Sequence, residues 1–127
     1  MNNKISTSIE QSKRLVKHEL DVNTADMYWR SLNLNGHISW SNHIKRLEPP
    51  IYDDEHYVPA WSLQALLDMI PESIDEYTDN FSQLELTKKS ISYVYANGML
   101  RIGFLHGNLI DAATEMVIWL LENKKIS

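Results

Sequence analysis

The chain has no cysteine, few turn-forming residues and no long apolar run. Its 127 residues include four glycines and four prolines. Without cysteine it can form no disulfide, which is compatible with a reducing compartment. No glycine-rich stretch is followed by Lys-Ser or Lys-Thr, so a P-loop for phosphate is excluded. No stretch approaches the ~18 apolar residues of a membrane-spanning helix, and the N-terminus lacks a signal-peptide pattern. We therefore expect a cytoplasmic protein.

The composition is that of an ordinary globular domain with a segregated charge. With 43% apolar and 23% charged residues, the length predicts one domain over residues 1–127. Residues 48–87 contain ten Asp or Glu and no Lys or Arg, although the whole chain has a net charge of only −5. An acidic surface favours a basic protein partner over nucleic acid. An ordinary solvated face is the alternative interpretation.

The last third of the chain predicts a β-hairpin. Residues 90–96 and 99–105 alternate between apolar and polar side chains on either side of Asn97-Gly98. Asn-Gly between two alternating runs is typical of a type I′ turn, which needs positive φ at both central residues. A two-residue loop fixes the pairing of the strands. The expected pairs on the apolar face are Tyr95 with Leu100, Tyr93 with Ile102, and Ile91 with Phe104.

A third strand and a final helix complete the predicted fold. Leu84 and Leu86 lie on an alternating run that would pair with residues 90–96, and residues 109–121 predict an amphipathic helix capped by Asn108. We therefore predict an α+β fold, a three-stranded antiparallel meander with helices packed on one face. Trp119 projects opposite the apolar arc of that helix. We expect it to point away from the sheet, towards helix 1, the middle segment or a second copy of the chain.

The rest of the chain gives weaker signals. A capping box of Thr7 and Glu10 predicts the start of a first helix, whose buried stripe is Ile9, Val16 and Leu20. A short helical turn over residues 24–27, a helix after Ser62 that ends before Pro71, and a short strand within residues 74–77 are also expected. Residues 28–47 fit neither period. Asn35-Gly36 is compatible with a short hairpin, and Ser41 or Asn42 with the cap of a short helix ending at Arg46.

Three segments of the chain resemble a known family. They are Gln11-Ser12-Lys13 with Leu20 and residues 24–27, then Val58-Pro59-Ala60-Trp61-Ser62 with the following residues to 67, and residues 111–123. Together they are similar to a family of small uncharacterised proteins from gut anaerobic bacteria, often found among phage-like and other mobile-element genes. The resemblance implies an intracellular bacterial protein of mobile-element origin and implies no activity.

Candidate binding residues fall into an acidic set and a basic, aromatic set. Asp53-Asp54-Glu55 stands beside His56, but adjacent residues on a strand point to opposite faces, so a solvated loop is expected rather than a metal site. Ser62 lacks the glycines of a nucleophile elbow. We predict no enzyme activity, no cofactor and no metal. The possible partner contacts are Asp53, Asp54, Glu55 and Trp119.

The basic, aromatic set supports an alternative function. Residues 28–46 contain aromatic and cationic side chains and no acidic residue. This combination is typical of proteins that bind single-stranded nucleic acid, in which bases stack on aromatic rings and Lys or Arg side chains contact the phosphates. The net negative charge opposes it. The main hypothesis is a non-catalytic protein-interaction module, and the alternative is a nucleic-acid accessory protein that uses residues 28–46. Its candidate contacts are Arg30, Trp40, Lys45 and Arg46.

Overall fold

The described part of the chain contains three α-helices and seven strands. A computed structural model describes residues 4–45, 52–53 and 56–127. The elements are α1 (Ile9–Lys17), β1 (Met27–Leu34), β2 (His37–Ile44), β3 (Tyr57–Ala60), α2 (Leu63–Met69), β4 (Ser73–Ile74), β5 (Ser82–Leu86), β6 (Ser90–Tyr95), β7 (Leu100–Leu105) and α3 (Leu109–Glu122). The strands form two antiparallel sheets, sheet A in the order β2-β1-β3 and sheet B in the order β4-β5-β6-β7. The α+β fold is confirmed.

Sheet B contains the predicted meander. Leu86 pairs with Ile91, and Ile91 and Tyr93 pair with Phe104 and Ile102, as expected. β4 extends the meander by a strand of two residues, Ser73–Ile74. The strand expected within residues 74–77 is wrong except at Ile74, because the chain turns at Asp75, where φ is +55°. Ile91 and Tyr93 are fully buried on the face covered by α3.

The turn between β6 and β7 differs from the prediction. Gly98 has φ +87°, but Asn97 is not in the left-handed region, so the turn is not type I′. The Gly98 amide donates to the Tyr95 carbonyl and the Tyr95 amide to Met99, which makes a three-residue loop with glycine at its last position. Val94 therefore pairs with Leu100, and Arg101 is the extra residue of a β-bulge. The predicted pairing of Tyr95 with Leu100 is wrong for this reason.

The helix termini follow the sequence signals at two of three positions. Ser62 and Asn108 cap α2 and α3, as predicted. The cap of α1 is Ser8, which forms its capping box with Gln11; the prediction of Thr7 was wrong. Thr7 is fully buried because its hydroxyl accepts from the amide of Trp61 and its amide donates back to Trp61. Thr7 is therefore hydrogen-bonded to the segment just before α2 and does not cap α1.

The buried face of α1 and the segments after it also differ from expectation. Leu15 is fully buried and Val16 is exposed, because α1 packs against both β3 and α3 rather than a single surface. In place of the turn expected over residues 24–27, a 3₁₀ turn spans Val22–Thr24 and β1 begins at Met27. No helix begins at Ser41 or Asn42, since β2 continues through both residues.

The core lies where α3 packs against sheet B, α2 and α1. Eight residues of α3 are buried, which is more than the single arc that the sequence predicts, because the helix has packed neighbours on several sides. The buried side chains of the core with the largest volumes are Trp61, Tyr93, Leu15, Leu66, Ile91, Met116 and Leu120. In sheet A, Met27, Val58 and Ala60 are also buried, and β3 packs against α1, which connects this sheet to the core.

Candidate interaction surface

The β1–β2 hairpin is the part of the fold with the most exposed strand surface. The two strands pair over their full length, from Met27 with Ile44 to Leu34 with His37. Asn35 and Gly36 connect them with φ values of +54° and +82°. Positive φ at both positions is the type I′ geometry, whose twist matches that of the strands. The hairpin expected at Asn35-Gly36 is therefore confirmed.

Exposed apolar side chains occur at the tip of the hairpin and at the end of β2. Met27 is 6% exposed, whereas Leu34 and Ile38, near the tip, are 67% and 66% exposed. Ile44 pairs with Met27 at the base of the hairpin but is 71% exposed. The hairpin therefore presents large apolar side chains on both strands, and β2 has one near each end.

β2 forms one edge of sheet A, so one side of its backbone faces outward. In a two-residue hairpin the pair that flanks the turn is hydrogen-bonded, and hydrogen-bonded pairs then alternate along the ladder. This alternation predicts a hydrogen bond between Lys45 and Asp26, just beyond the strands, and the Lys45 amide does donate to the Asp26 carbonyl at 2.9 Å. The backbone groups of Ile38, Trp40, Asn42 and Ile44 consequently point away from β1. Within the described residues these groups have no backbone partner.

β2 also lacks the residues that normally protect a sheet edge. Its eight residues, His37-Ile38-Ser39-Trp40-Ser41-Asn42-His43-Ile44, include no Lys, Arg, Asp, Glu or Pro. Natural edge strands are kept from pairing with other chains by charges, proline, bulges or short length. An eight-residue edge with none of these devices on its own residues can accept another strand.

The two faces of the hairpin have different surroundings. On one face the ring of Tyr28 stacks on His43, with centroids 5.2 Å apart, and Tyr57 lies beside it. On the other face the chain before α1 covers the base, since the Trp29 ring nitrogen donates to the Thr7 carbonyl and Asn42 donates to the Ser6 hydroxyl. Each face therefore has side-chain contacts near the base, whereas Leu34 and Ile38 near the tip are exposed.

The candidate nucleic-acid contacts do not share one surface. Arg30 pairs with Ser41, and Ser31 pairs with Trp40, so Arg30 and Trp40 point to opposite faces of the sheet. Lys45 follows the end of β2, beside Asp26. Arg46 lies outside the described residues. Nucleic acid on either face would thus meet only one of the first two side chains.

Of the acidic candidate contacts, Asp53 lies shortly before β3. Asp53 forms an isolated bridge with Tyr57, and its carboxylate accepts from the amide and the ring nitrogen of His56. Asp54 and Glu55 lie outside the described residues. Within the described parts of the chain, no three His, Asp or Glu side chains are grouped as metal ligands.

Other carboxylates of the acidic segment are exposed. Those of α2, of the connection to β5 and of β5 itself have exposed side chains and form no ion pair with another described residue. They are Asp68, Glu72, Glu76, Asp79 and Glu85. Tyr77, between two of them, is fully exposed and has φ +65°. These five side chains therefore carry a negative charge that no described residue neutralises.

Trp119 lies against sheet B, so the prediction that it points away from the sheet is wrong. Its ring centroid is 6.5 Å from that of Tyr93, and the Arg101 guanidinium lies 5.6 Å from its centre. The β-bulge turns Arg101 towards the covered face, where its guanidinium also donates to Asp75 at 2.7 Å. Lys125 donates to the other Asp75 oxygen at 2.8 Å. Trp119 is therefore one wall of a charged cluster within the fold.

Asp75 is the negatively charged member of this cluster at neutral pH. Hydrogen bonds from Lys125 and then Arg101 hold the pKa of the Asp75 carboxyl below its ordinary value of 3.8. Arg101 donates as well to the Asn80 carbonyl and the Ser82 hydroxyl. The cluster thus connects the segment between β4 and β5 to β7 and to the residues after α3. Its role is to stabilise the fold.

An open depression lies beside the C-terminal end of β2, at the base of the hairpin. It has a volume of about 670 Å³, and its lining includes Ile5, Asp26, Ile44, Lys45 and Ser62. Asp26 accepts hydrogen bonds from the amide and the hydroxyl of Ser62, the N-cap of α2. Its carboxylate therefore stabilises the start of α2, and Ile44 belongs both to the depression and to the exposed side chains of β2.

No family model matches this chain, and searches of curated proteins and of solved structures find no similar protein. The resemblance to gut bacterial proteins therefore stays a prediction. Among the described residues, no helix is long and apolar enough to cross a membrane. The open edge of β2 was missed because residues 28–47 show no clear period. The signals that could have found it are Asn35-Gly36 and the uncharged run after it.

Proposed function

We propose that this chain is a non-catalytic protein-interaction module that binds its partner by strand addition at β2. The observation that carries the proposal is the uncharged edge of sheet A at β2, whose outward backbone groups have no backbone partner among the described residues. Four residues of β2 direct backbone N–H and C=O groups outward, and a strand laid beside them would satisfy these groups. Their side chains, with Ile38 and Ile44 at the ends, would select the sequence of that strand.

The exposed apolar side chains support the same surface. Ile38 and Ile44 lie on one face of β2, since they are six positions apart. Both are about two-thirds exposed, so a partner strand would remove apolar area from water on that face. The exposed carboxylates of Asp68, Glu72, Glu76, Asp79 and Glu85, which form no ion pair with a described residue, favour a basic surface on any partner other than a second copy of the chain. They add steering and specificity to a site whose contacts come from β2.

A peptide selection tests the proposal while the natural partner is still unidentified. Linear peptides displayed on phage are selected against the purified full chain at low protein concentration. We expect selected peptides to bind the wild type and to slow hydrogen exchange at the amides of Ile38, Trp40, Asn42 and Ile44. Ile38→Lys should abolish this binding, because a charge is placed in the paired strand.

The matched control is Leu105→Lys. Leu105 is 76% exposed and lies at the end of β7, the edge of sheet B, so the substitution adds the same charge elsewhere. Peptide binding should survive it. Selected peptides that bind Ile38→Lys as well as the wild type, or a selection that yields none, would contradict strand addition at β2.

The cellular setting is proposed from the sequence alone. The resemblance supports a cytoplasmic bacterial protein of mobile-element origin. The alternative function, a nucleic-acid accessory protein with contacts at Arg30, Trp40, Lys45 and Arg46, has less support. Its two central side chains point to opposite faces of the sheet.

A further inference from the structure

We propose that the strand added at β2 is β2 of a second copy of this chain, antiparallel across a two-fold axis at Ser41. This inference rests on the proposed function, because it names the partner of the same edge. Across a two-fold axis the two residue numbers of every pair add up to the same value, which is twice the number of the residue at the axis. With the axis at Ser41, Ile38 lies opposite Ile44 of the partner, and Trp40 opposite the partner's Asn42.

The positions of the exposed isoleucines select this register. Ile38 and Ile44 are 66% and 71% exposed, and they lie three residues on either side of Ser41. Directly opposed side chains on antiparallel strands have Cβ atoms about 4.5–5.5 Å apart. Both isoleucines of both copies are then covered at once. An axis at Trp40 would instead place Ile38 opposite the polar Asn42, and an axis at Asn42 would leave Ile38 beyond the end of the partner's β2.

The lack of charge on β2 favours a second copy over a charged partner strand. Across a two-fold axis each side chain near the centre meets itself or a close neighbour, so a charged residue there would face a like charge. Between His37 and Ile44 there is no Lys, Arg, Asp or Glu. A basic or acidic strand would find no complementary charge on this edge, whereas a copy of β2 needs none.

The proposed register also places the outward backbone groups in phase. The outward backbone groups belong to Ile38, Trp40, Asn42 and Ile44. At this axis each of these four residues lies opposite another of the four in the second copy. Each outward N–H and C=O group therefore meets an outward group of the other copy. The two sheets become one six-stranded sheet. Two eight-residue strands bury less than the about 800 Å² per partner of a standard interface, so we expect a reversible dimer.

Complementary variants test both the dimer and its register. Sedimentation of the wild type should show the mass rising with concentration from 14.8 kDa towards twice that value. Ile38→Lys and Ile44→Glu should each raise the dimer dissociation constant about tenfold or more. An equimolar mixture of the two variants should recover a dimer. At one end the introduced ammonium then faces the introduced carboxylate, and at the other end the two native isoleucines meet.

The control variant is Leu34→Lys. Leu34 is 67% exposed and belongs to the same hairpin, but it lies on β1, which is the central strand of sheet A. The dimer dissociation constant should not change. Circular dichroism of all variants at a concentration where each is monomeric checks that they are folded.

The outcomes separate this inference from the proposed function. A wild type that stays monomeric at every concentration, or a dimer that Ile38→Lys leaves intact, overturns self-pairing at β2. A mixture of the two variants that gains no dimer overturns the register. If the chain is monomeric but β2-dependent peptides still bind it, the proposed function stands and the second copy is wrong. If neither pairing occurs, both are wrong.

Discussion

Individual residues with positive φ mark the places where the chain turns most sharply. Gly36 and Gly98 have φ values of +82° and +87°, and neither has an atom within 4 Å of the position where a Cβ would stand. At both positions the cost of a side chain is therefore a backbone cost, because there is space for the added atoms. Tyr77, between Glu76 and Asp79, has φ +65° and therefore has the backbone strain of a side chain at positive φ.

Gly98→Val should lower the free energy of unfolding by more than about 1 kcal/mol. A β-branched residue is strained at positive φ, and the three-residue loop between β6 and β7 requires that conformation at position 98. Urea denaturation of the two proteins measures the difference. Gly107→Val is the control, since Gly107 has equally open surroundings without positive φ. Equal denaturation midpoints for Gly98→Val and the wild type would show that the loop does not need glycine.

The Asp75 carboxylate should make stability depend on pH in the acidic range. Its pKa is lowered in the folded protein by hydrogen bonds from Lys125 and Arg101, so the unfolded chain binds the proton more tightly. This contribution is present above the ordinary pKa of 3.8 and is lost as the pH falls through the lower folded value. Asp75→Asn keeps the shape and the tolerance of positive φ, and it removes the charge.

The pH prediction is checked by measuring unfolding of the wild type and Asp75→Asn from about pH 7 to about pH 2. The wild type should be more stable at neutral pH, and the difference should shrink below about pH 4. Asp68→Asn serves as the control, because Asp68 is exposed and forms no ion pair with a described residue. A constant difference between wild type and Asp75→Asn over the whole range would mean that the ion pairs with Asp75 contribute nothing.

At the scale of elements, α3 determines how the other parts are arranged. It packs against β6 and β7, against α2 and against α1. Near its N-terminus Asp111 accepts from Lys4 and Gln11, which attaches the chain before α1 and α1 itself to the helix. Near its C-terminus Trp119 lies against Tyr93 and under Arg101. Each end of α3 is thus tied to a different part of the fold.

Trp119→Ala should cost about 3 kcal/mol of stability, the lower end of the range for removing a large aromatic core side chain. The ring is partly buried, and its loss removes contacts with Tyr93 and Arg101 within one chain. Thermal unfolding should occur at a lower temperature by the same amount at every protein concentration. Trp119→Phe should recover part of the loss. A shift that grows on dilution would instead assign Trp119 to a contact between copies.

At the scale of the whole molecule, charge and shape are distributed differently over the two sheets. The carboxylates of residues 68–85 lie on α2 and in the region of β4 and β5, whereas sheet A ends in the uncharged β2. The net charge of −5 keeps the protein anionic at neutral pH. The molecule therefore has a negative region suited to attraction at a distance and a neutral edge suited to direct pairing.

We predict no binding to single- or double-stranded DNA tighter than about 10⁻⁶ M at physiological salt. The protein is anionic, and Arg30 and Trp40 cannot contact one strand together on one face of sheet A. Fluorescence anisotropy with labelled oligonucleotides at several salt concentrations measures this. Tighter binding that weakens steeply with salt and is lost in Arg30→Ala or Lys45→Ala would favour the nucleic-acid function.

Local signals identified sheet B and the helices that contact it. The alternation of residues 90–105, the caps Ser62 and Asn108, and the pairing of Ile91 with Phe104 depend on neighbours a few positions away, so they can be read from the sequence. The candidate site could not. In β1 and β2 about half of the residues are at least partly covered and the rest are exposed, and this mixture gives no clear period.

The two Asn-Gly pairs show where sequence stops and tertiary structure begins. Asn35-Gly36 forms the type I′ turn, because its hairpin twists freely beyond the base. Asn97-Gly98 does not, because Arg101 is drawn into a bulge by Asp75, Asn80 and Ser82, which lie 19 to 26 residues away along the chain. Local propensity is the same at both sites. Distant contacts decided which turn forms, where Trp119 points, and that β2 remains the open edge of sheet A.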